Sequence, residues 1–346
     1  MPAAESQMGS RIGCRGPRHP ILFTRSESGT TQAAPPRHHH NHGGRPADKG
    51  TPRRHHGLMA ERVTAERIRE HVVRLGEQHP PISLDAVDRG IHDPRAVAER
   101  YGHVIDYLAR VELEVDRNVL ELLVLLPDVS ETDRLFYADV WQPQEIQHGL
   151  ILDRLQQDLG RPAAEPELDV SMKMKIMGAL AHFSSIQDIA RLLYYLTGAS
   201  TERQAVLAYN MIHEGMTGLG ETAIAETIIA PIRRQEPGHF AFYRMSATEL
   251  VQSGALRPWQ LYLARVLREK TYNLVGTNGQ DRYRAQMGGV VAALGFDTDL
   301  DRYAREVGRI EAQLLWAHAQ GMEFPPYVLR ALRESIDLYR EHGFAA

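Results

Sequence analysis

Apolar residues recur at steps of three and four along almost the whole chain from residue 60 onward. The alternation of apolar and polar residues that is typical of half-buried strands is missing. The pattern therefore predicts an all-α protein. The 43% apolar and 24% charged residues are typical of a globular chain, which excludes the fully disordered and collagen-like classes.

The first 58 residues differ in composition from the remainder. Residues 1–56 are rich in Gly, Pro, Ser and Arg, and carry nine Lys or Arg against three acidic residues. Because this part lacks apolar periodicity, it is predicted to be a disordered, basic, His-rich tail over 1–58. A helical domain is predicted over 59–346. Met59 begins the ordered pattern and is a candidate start of translation. A basic leader is also typical of transit peptides, but this one lacks their amphipathic helical pattern.

Cysteine content and the length of apolar runs bear on the compartment. The lone Cys14 cannot form an internal disulfide, which favours a reducing cytoplasm. The longest strongly apolar run, residues 120–126, contains Glu121 and stops at Pro127, so we expect no membrane span. The sequence contains no Walker loop, Gly-x-Gly-x-x-Gly motif or nucleophile elbow, and the basic tail alone does not indicate a nucleic-acid partner.

Capping and helix-breaking residues predict the helix boundaries. Asp93 before Pro94 begins a helix that Pro127 ends, and Ser130 caps the next helix, which runs to Gly160. Further helices are predicted over about 170–197, ending at Gly198, then from a cap at Ser200 or Thr201 to Gly218, and from Gly220 to Ser253. Residues 256–346 are predicted to form three or four C-terminal helices, broken near Thr277, Gly295 and Pro325.

Two Glu-x-x-His pairs lie on predicted core faces. Glu145 and His148 are in register with the apolar residues of the second helix, and Glu236 and His239 with those of a later one. Burial of an unpaired carboxylate costs several kcal/mol, so charged groups on core faces need compensation. A metal ion is the simplest compensating charge, although ordinary buried ion pairs are the alternative.

Each pair also has a glutamate on the preceding helix, at a matching level. Glu112 lies 33 residues before Glu145, and Glu202 lies 34 residues before Glu236. When residues are counted from the predicted helix ends, Glu112 lies level with Glu145, and Glu202 with Glu236, each in an antiparallel pair of helices. Glu112 is chosen over Glu114 because it shares the apolar face of its helix.

Four carboxylates and two imidazoles that project inward from four helices are the ligand set of a di-iron carboxylate bundle. Carboxylates bridge two ions and stabilise oxidised iron, imidazoles complete each coordination sphere, and open positions remain for O2. The predicted ligands are Glu112, Glu145, His148, Glu202, Glu236 and His239.

With these motifs the chain resembles the ferritin-like superfamily, and within it the soluble acyl-carrier-protein desaturases. The resemblance covers roughly residues 95–250. Residues 144–149, Gln-Glu-Ile-Gln-His-Gly, are similar to that family's Glu-Glu-x-Arg-His-Gly, and residues 235–239, Gln-Glu-Pro-Gly-His, to its Asp-Glu-x-Arg-His. The resemblance implies that the six residues bind two iron ions and that O2 and an electron donor such as ferredoxin are used to desaturate a carrier-bound acyl chain.

The chain also departs from the family pattern. Gln235 replaces an acid, both motif arginines are absent, and Ala205 stands where those desaturases usually carry a threonine. Pro237 lies inside the second motif and is a candidate for a local helix bulge. N-oxygenases of the superfamily commonly carry a seventh histidine one turn before the last Glu, where this chain has Ile232.

We therefore predict a ferritin-like four-helix bundle over about 95–252, with additional flanking helices and C-terminal helices over 256–346. The predicted function is that of a cytoplasmic, di-iron, O2-dependent oxidoreductase in fatty acid metabolism that desaturates or oxidises a carrier-bound or free acyl chain. The alternatives are a di-iron oxygenase of an amine or small metabolite, and a metal-free helical scaffold. A homodimer is expected by base rate. Arg233 with Arg234, or Arg265 with Arg268, is a candidate patch for docking acyl carrier protein.

Several other residues are open to two interpretations. They are His213, as an extra ligand or a structural histidine; Trp141, as an electron relay or a core residue; and Met172, Met174 and Met177, as channel lining or gap-filling core.

Overall fold

A computed structural model describes residues 62–125, 128–170 and 172–345 of the chain. This part is helical and contains no strand, which confirms the all-α prediction. The predicted tail over 1–58 lies outside it. The α-helices are α1 (Ala65–Gln78), α2 (Pro94–Leu113), α3 (Val115–Leu125), α4 (Glu131–Arg134), α5 (Gln142–Asp158), α6 (Met172–Ala181), α7 (Ser184–Gly218), α8 (Ala230–Gln252), α9 (Pro258–Thr271), α10 (Asp281–Ala293), α11 (Leu300–Leu315) and α12 (Pro326–His342).

Side-chain caps begin α2, which carries Glu112, and α4, from which the chain continues through Leu135–Trp141 into α5. The carboxylate of Asp93 accepts a hydrogen bond from Ala96 N at 3.0 Å at the start of α2. Ser130 Oγ accepts from Asp133 N at 3.0 Å at the start of α4. Both caps were predicted. Buried Glu221 also accepts from the backbone N–H of Asp93 at 2.6 Å, which fixes the start of α2 to the turn that follows α7.

The predicted single helix from Pro94 to Pro127 is wrong, because the chain breaks at Glu114 between α2 and α3. Glu114, which lies off the apolar face of Glu112, is nevertheless buried and forms ion pairs with Arg110 at 2.6 Å and Arg117 at 2.7 Å. The amide of Asn278 donates to the same carboxylate at 3.1 Å. The loop after α9 therefore covers this face, which helical periodicity alone does not reveal.

Gly198 does not end a helix, contrary to prediction. The predicted helix over 170–197 is divided after Ala181, and α7 then runs without interruption through Gly198 to Gly218. A Cβ atom at Gly198 would lie 2.2 Å from Cε1 of Tyr243, so the glycine allows α7 to pack closely against α8. Here the glycine serves packing rather than helix termination.

Two π-helical segments, Leu135–Trp141 and Ile224–Ile229, lead directly into the helices that carry the Glu-x-x-His pairs. A π-helical turn is wider than an α-helical one and occurs frequently at functional sites. Pro237, which was a candidate for a bulge, instead lies inside α8. The irregular geometry thus precedes the second motif rather than coinciding with it.

The four ligand-bearing helices pack as α2 against α5 and α7 against α8, while α10 lies against α2 and α12, and α11 against α7. The C-terminal region contains four helices, α9–α12, within the predicted three or four. None of the helices in the described ranges has both the length and the apolar character needed to cross a membrane.

Two apolar clusters flank the predicted ligands along the helix axes. On α8, Ile232 belongs to one cluster and Phe242 to the other, with Glu236 and His239 between them. The other ligands also lie between one residue of each cluster: Glu112 between Leu108 and Val115, Glu145 between Ile151 and Trp141, and Glu202 between Ala208 and Ala199. The six polar side chains therefore form a layer between two apolar cores, where neighbouring charges interact strongly.

Candidate metal centre

Four helices bring the six predicted residues into one cluster. Their ligand atoms form two overlapping groups, and within each group all atoms lie within 4.8 Å of one another. One group consists of Glu112, Glu145, His148 and Glu236, and the other of Glu145, Glu202, Glu236 and His239. All are buried except Glu112, which is partly buried. These groups could hold metal ions, and the predicted pairing of levels in the hairpins is correct.

Glu145 and Glu236 belong to both groups. One oxygen of Glu145 lies 3.2 Å from Nδ1 of His148, and the other lies 2.8 Å from Nδ1 of His239. Glu236 lies 3.2 Å and 3.7 Å from the same two nitrogens. Because each of these carboxylates reaches both imidazoles, the arrangement suits two adjacent ions that share two ligands.

The two unshared carboxylates each accept a hydrogen bond from an aromatic side chain. Tyr209 donates its hydroxyl to Glu112 at 2.6 Å, and Trp141 donates its indole N–H to Glu202 at 3.2 Å. The sequence placed Trp141 one turn before Glu145 but did not reveal this bond across helices. Both donors orient a predicted ligand, as outer partners of metal sites commonly do.

Burial and neighbouring charge determine the protonation of the unshared carboxyls. Burial, and after it the charge of Glu145, raise the pKa of Glu112 well above its ordinary value. The same two causes, in the same order, raise the pKa of Glu202. In the metal-free cluster, both carboxyl groups therefore hold their protons to a higher pH than an ordinary glutamate does.

The shared carboxylates and the histidines form ion pairs. Burial acts to raise the pKa of Glu145 and Glu236, but their contacts with His148 and His239 outweigh it and lower both pKa values. Burial acts to lower the pKa of the histidines, but the carboxylates raise that of His148 well above 6.5 and that of His239 to about 9. In the metal-free cluster, the ionised form of each shared carboxylate and the protonated form of each imidazole thus stabilise one another.

Metal loading of this cluster is expected to release protons. Protons held by the imidazoles and by the unshared carboxyl groups must leave before all six side chains can coordinate cations. Because the pKa values of both histidines and of the unshared carboxyl groups are raised, protons compete with the metal more strongly as the pH falls, and metal affinity should fall with it. The measurement is a titration with Zn²⁺ in weakly buffered solution that contains a pH indicator. The wild-type chain should release more protons than a Glu145→Gln/Glu236→Gln chain. Equal acidification of the two chains would contradict the assigned protonation.

Three buried atoms in the cluster form ion pairs without a hydrogen bond of good geometry. These are Glu145 Oε1, Glu236 Oε1 and His239 Nδ1. Cations placed among these atoms would replace the ion pairs, and carboxylate oxygen with imidazole nitrogen is a donor set that suits iron or manganese. The residues present therefore fit a metal centre.

A small cavity of about 50 Å³ extends from the cluster to α10 and α11. Glu112, Glu145 and Glu202 line one part of it. Its other walls are mainly apolar and include Val111, Val115, Ala205, Ala208, Val290, Val291, Leu294 and Phe296. The sequence did not predict that the C-terminal helices contribute to this cavity. An apolar molecule in it would lie directly beside the carboxylates.

The remaining candidates lie elsewhere. His213 faces Glu226 at 3.3 Å, outside the two groups, which favours its structural interpretation. Arg268 is buried and paired with Glu311 at 2.6 Å, so the prediction that it forms a docking patch with Arg265 is wrong. The side chains of Met172, Met174 and Met177, and the tail histidines, lie outside the described residues.

No protein-family model matches this chain, and neither the curated proteins nor the solved structures include a significant match.

Proposed function

We propose that this chain is a di-iron, O2-dependent oxidoreductase built on a ferritin-like four-helix bundle. The observation that carries the proposal is the pair of overlapping Glu/His groups that share Glu145 and Glu236. Four carboxylate charges would offset two ferrous ions, and a buried set of carboxylate and imidazole donors favours a metal centre over a metal-free scaffold. Cytoplasmic location and a homodimer remain predictions from the sequence.

In this proposal, Glu112 and His148 complete one coordination sphere, and Glu202 and His239 complete the other. When bound, the iron pair would supply the oxidising power of O2 to a substrate carbon beside it. Tyr209 and Trp141 would hold the unshared carboxylates in place, and the two apolar cores would exclude water from the reacting carbon.

The proposed reaction is desaturation of an acyl chain. Two hydrogen atoms leave adjacent carbons, a carbon–carbon double bond forms, and O2 is reduced to two water molecules with two further electrons and two protons. A one-electron donor such as ferredoxin would supply those electrons. The mainly apolar lining of the cavity beside Glu112 supports an apolar substrate, and a carrier protein holding the acyl chain is the form that the sequence resemblance implies.

Filling the cavity is expected to separate substrate oxidation from metal binding. Ala205 lines the cavity but is not a predicted ligand, so Ala205→Leu should retain the metal and lower turnover of stearoyl carrier protein about tenfold or more. Product double bonds would be measured by mass spectrometry, with ferredoxin and its reductase present. The matched control is Ala179→Leu, at an exposed position of α6.

Turnover that is equal in both variants would exclude this cavity as the substrate site. A wild-type chain that retains two iron ions but oxidises no acyl substrate would contradict the desaturase assignment while leaving the metal centre intact.

A further inference from the structure

Two buried glutamines, Gln144 and Gln235, connect the predicted metal ligands to the end of α1. Each directly precedes the glutamate of one Glu-x-x-His pair, and each is buried. The amide of each contacts the imidazole of a predicted ligand, so the two glutamines act on the ligands.

The hydrogen bonds of the glutamines cross between the two motifs. Gln144, on α5 with His148, contacts Nε2 of His239 on α8 through Oε1 at 2.5 Å. Gln235, on α8 with His239, contacts Nε2 of His148 through Oε1 at 2.6 Å. Each histidine is thus held by the helix that carries the other one.

Backbone carbonyls fix the orientation of both amides. Gln235 donates through Nε2 to the carbonyl oxygen of Pro80 at 2.8 Å, and Gln144 donates through Nε2 to that of His79. A carbonyl oxygen can only accept, so the amide nitrogen must face it and the amide oxygen must face the imidazole. An amide oxygen also only accepts, and therefore Nε2 of each histidine must carry a proton.

We infer that Gln144 and Gln235 are positioning residues that hold His239 and His148 as the Nε2–H tautomer, so that Nδ1 of each ring is the metal-binding atom. The Nδ1 atoms face the shared carboxylates, which agrees with this assignment. The inference rests on the proposed metal centre.

The same contacts explain why amides occupy these two positions. A bridge between an imidazole N–H and a backbone carbonyl needs one acceptor and one donor, and an amide supplies both. An ionised carboxylate would place an acceptor against the carbonyl oxygens of the segment after α1, leaving that contact unsatisfied. The end of α1 therefore forms part of the site, although the sequence placed the bundle only from about residue 95.

The test uses the full chain, labelled with ¹⁵N-histidine and loaded with two equivalents of Zn²⁺, a diamagnetic probe. In the wild type, ¹⁵N NMR should show two imidazole rings with zinc on Nδ1 and a slowly exchanging proton on Nε2. These rings would be assigned with His148→Asn and His239→Asn chains.

The glutamine variants should perturb the rings in a crossed manner. Gln144→Leu should accelerate exchange of the Nε2 proton of His239 and spare that of His148, and Gln235→Leu should do the reverse. Each should weaken zinc binding about 10- to 100-fold. The matched control is Gln156→Leu, a buried position on α5 whose amide donates to Asp153 and Pro162 instead; it should change neither ring.

Zinc bound through Nε2, or perturbation of the histidine on the variant's own helix, would overturn the inference and leave the proposed function standing. Failure of the wild-type histidines to bind zinc at all would overturn the metal centre, and the inference with it.

Discussion

Replacement of Glu145 by glutamine is expected to abolish stable binding of both ions, not of one. Glu145 belongs to both groups of predicted ligands, and its two oxygens face the Nδ1 atoms of His148 and His239. An amide keeps the shape of the side chain but removes the charge that both cations need. We expect zinc affinity, measured by competition with a chelator, to fall by more than the roughly 100-fold that loss of an outer partner can cost.

The matched control for this substitution is Glu226→Gln. Glu226 is mostly exposed, and its ion pair joins His213 rather than a cluster residue. This variant should bind zinc like the wild type. Retention of one tightly bound ion by Glu145→Gln would show that Glu145 serves a single site, which contradicts the shared arrangement.

Gly198→Ala is expected to produce the largest loss of stability among conservative substitutions near the cluster. The added Cβ would lie 2.2 Å from Cε1 and 2.3 Å from Cδ1 of the buried Tyr243 ring, so α7 and α8 must separate or the ring must move. Overpacking of this kind costs about 1–3 kcal/mol, occasionally more. Urea denaturation of the metal-free protein should show the decrease in the free energy of unfolding.

Gly218→Ala is the matched control, since it lies at the end of the same helix and a Cβ there meets nothing within 4 Å. Its unfolding free energy should stay unchanged or rise slightly, because alanine loses less backbone entropy than glycine on folding. An unfolding midpoint for Gly198→Ala equal to that of this control would show that the close packing of α7 and α8 is not needed.

The sequence was sufficient to predict the helical class and the six clustered residues. Helical spacing placed Glu112, rather than Glu114, with the Glu-x-x-His pairs, and a count from the helix ends placed the members of each hairpin at one level. Both inferences depend on regular geometry within a helix, which a local pattern encodes. The helix break at Glu114 lies two residues after Glu112, so the predicted position of Glu112 on its helix remains correct.

Features that depend on contacts between distant segments were not predictable. Burial of Glu114 requires Asn278 from the loop after α9, and the role of Gly198 requires the ring of Tyr243 on α8. The crossed glutamine bonds likewise require the carbonyls of His79 and Pro80, about 65 and 155 residues away along the chain. In each case the residue type was visible, but its partner was set by tertiary packing.

In the proposed function, the Glu/His cluster holds two iron ions that react with O2. The most direct measurement is the iron retained per chain after anaerobic ferrous loading and desalting, in the wild type and in Glu145→Gln/Glu236→Gln, followed by exposure to O2. Since both chains carry the same tail histidines, the difference between them isolates the cluster. We expect about two more iron ions in the wild type, and a near-ultraviolet absorption band that only the wild type develops with O2. Equal iron content in the two chains would contradict the account.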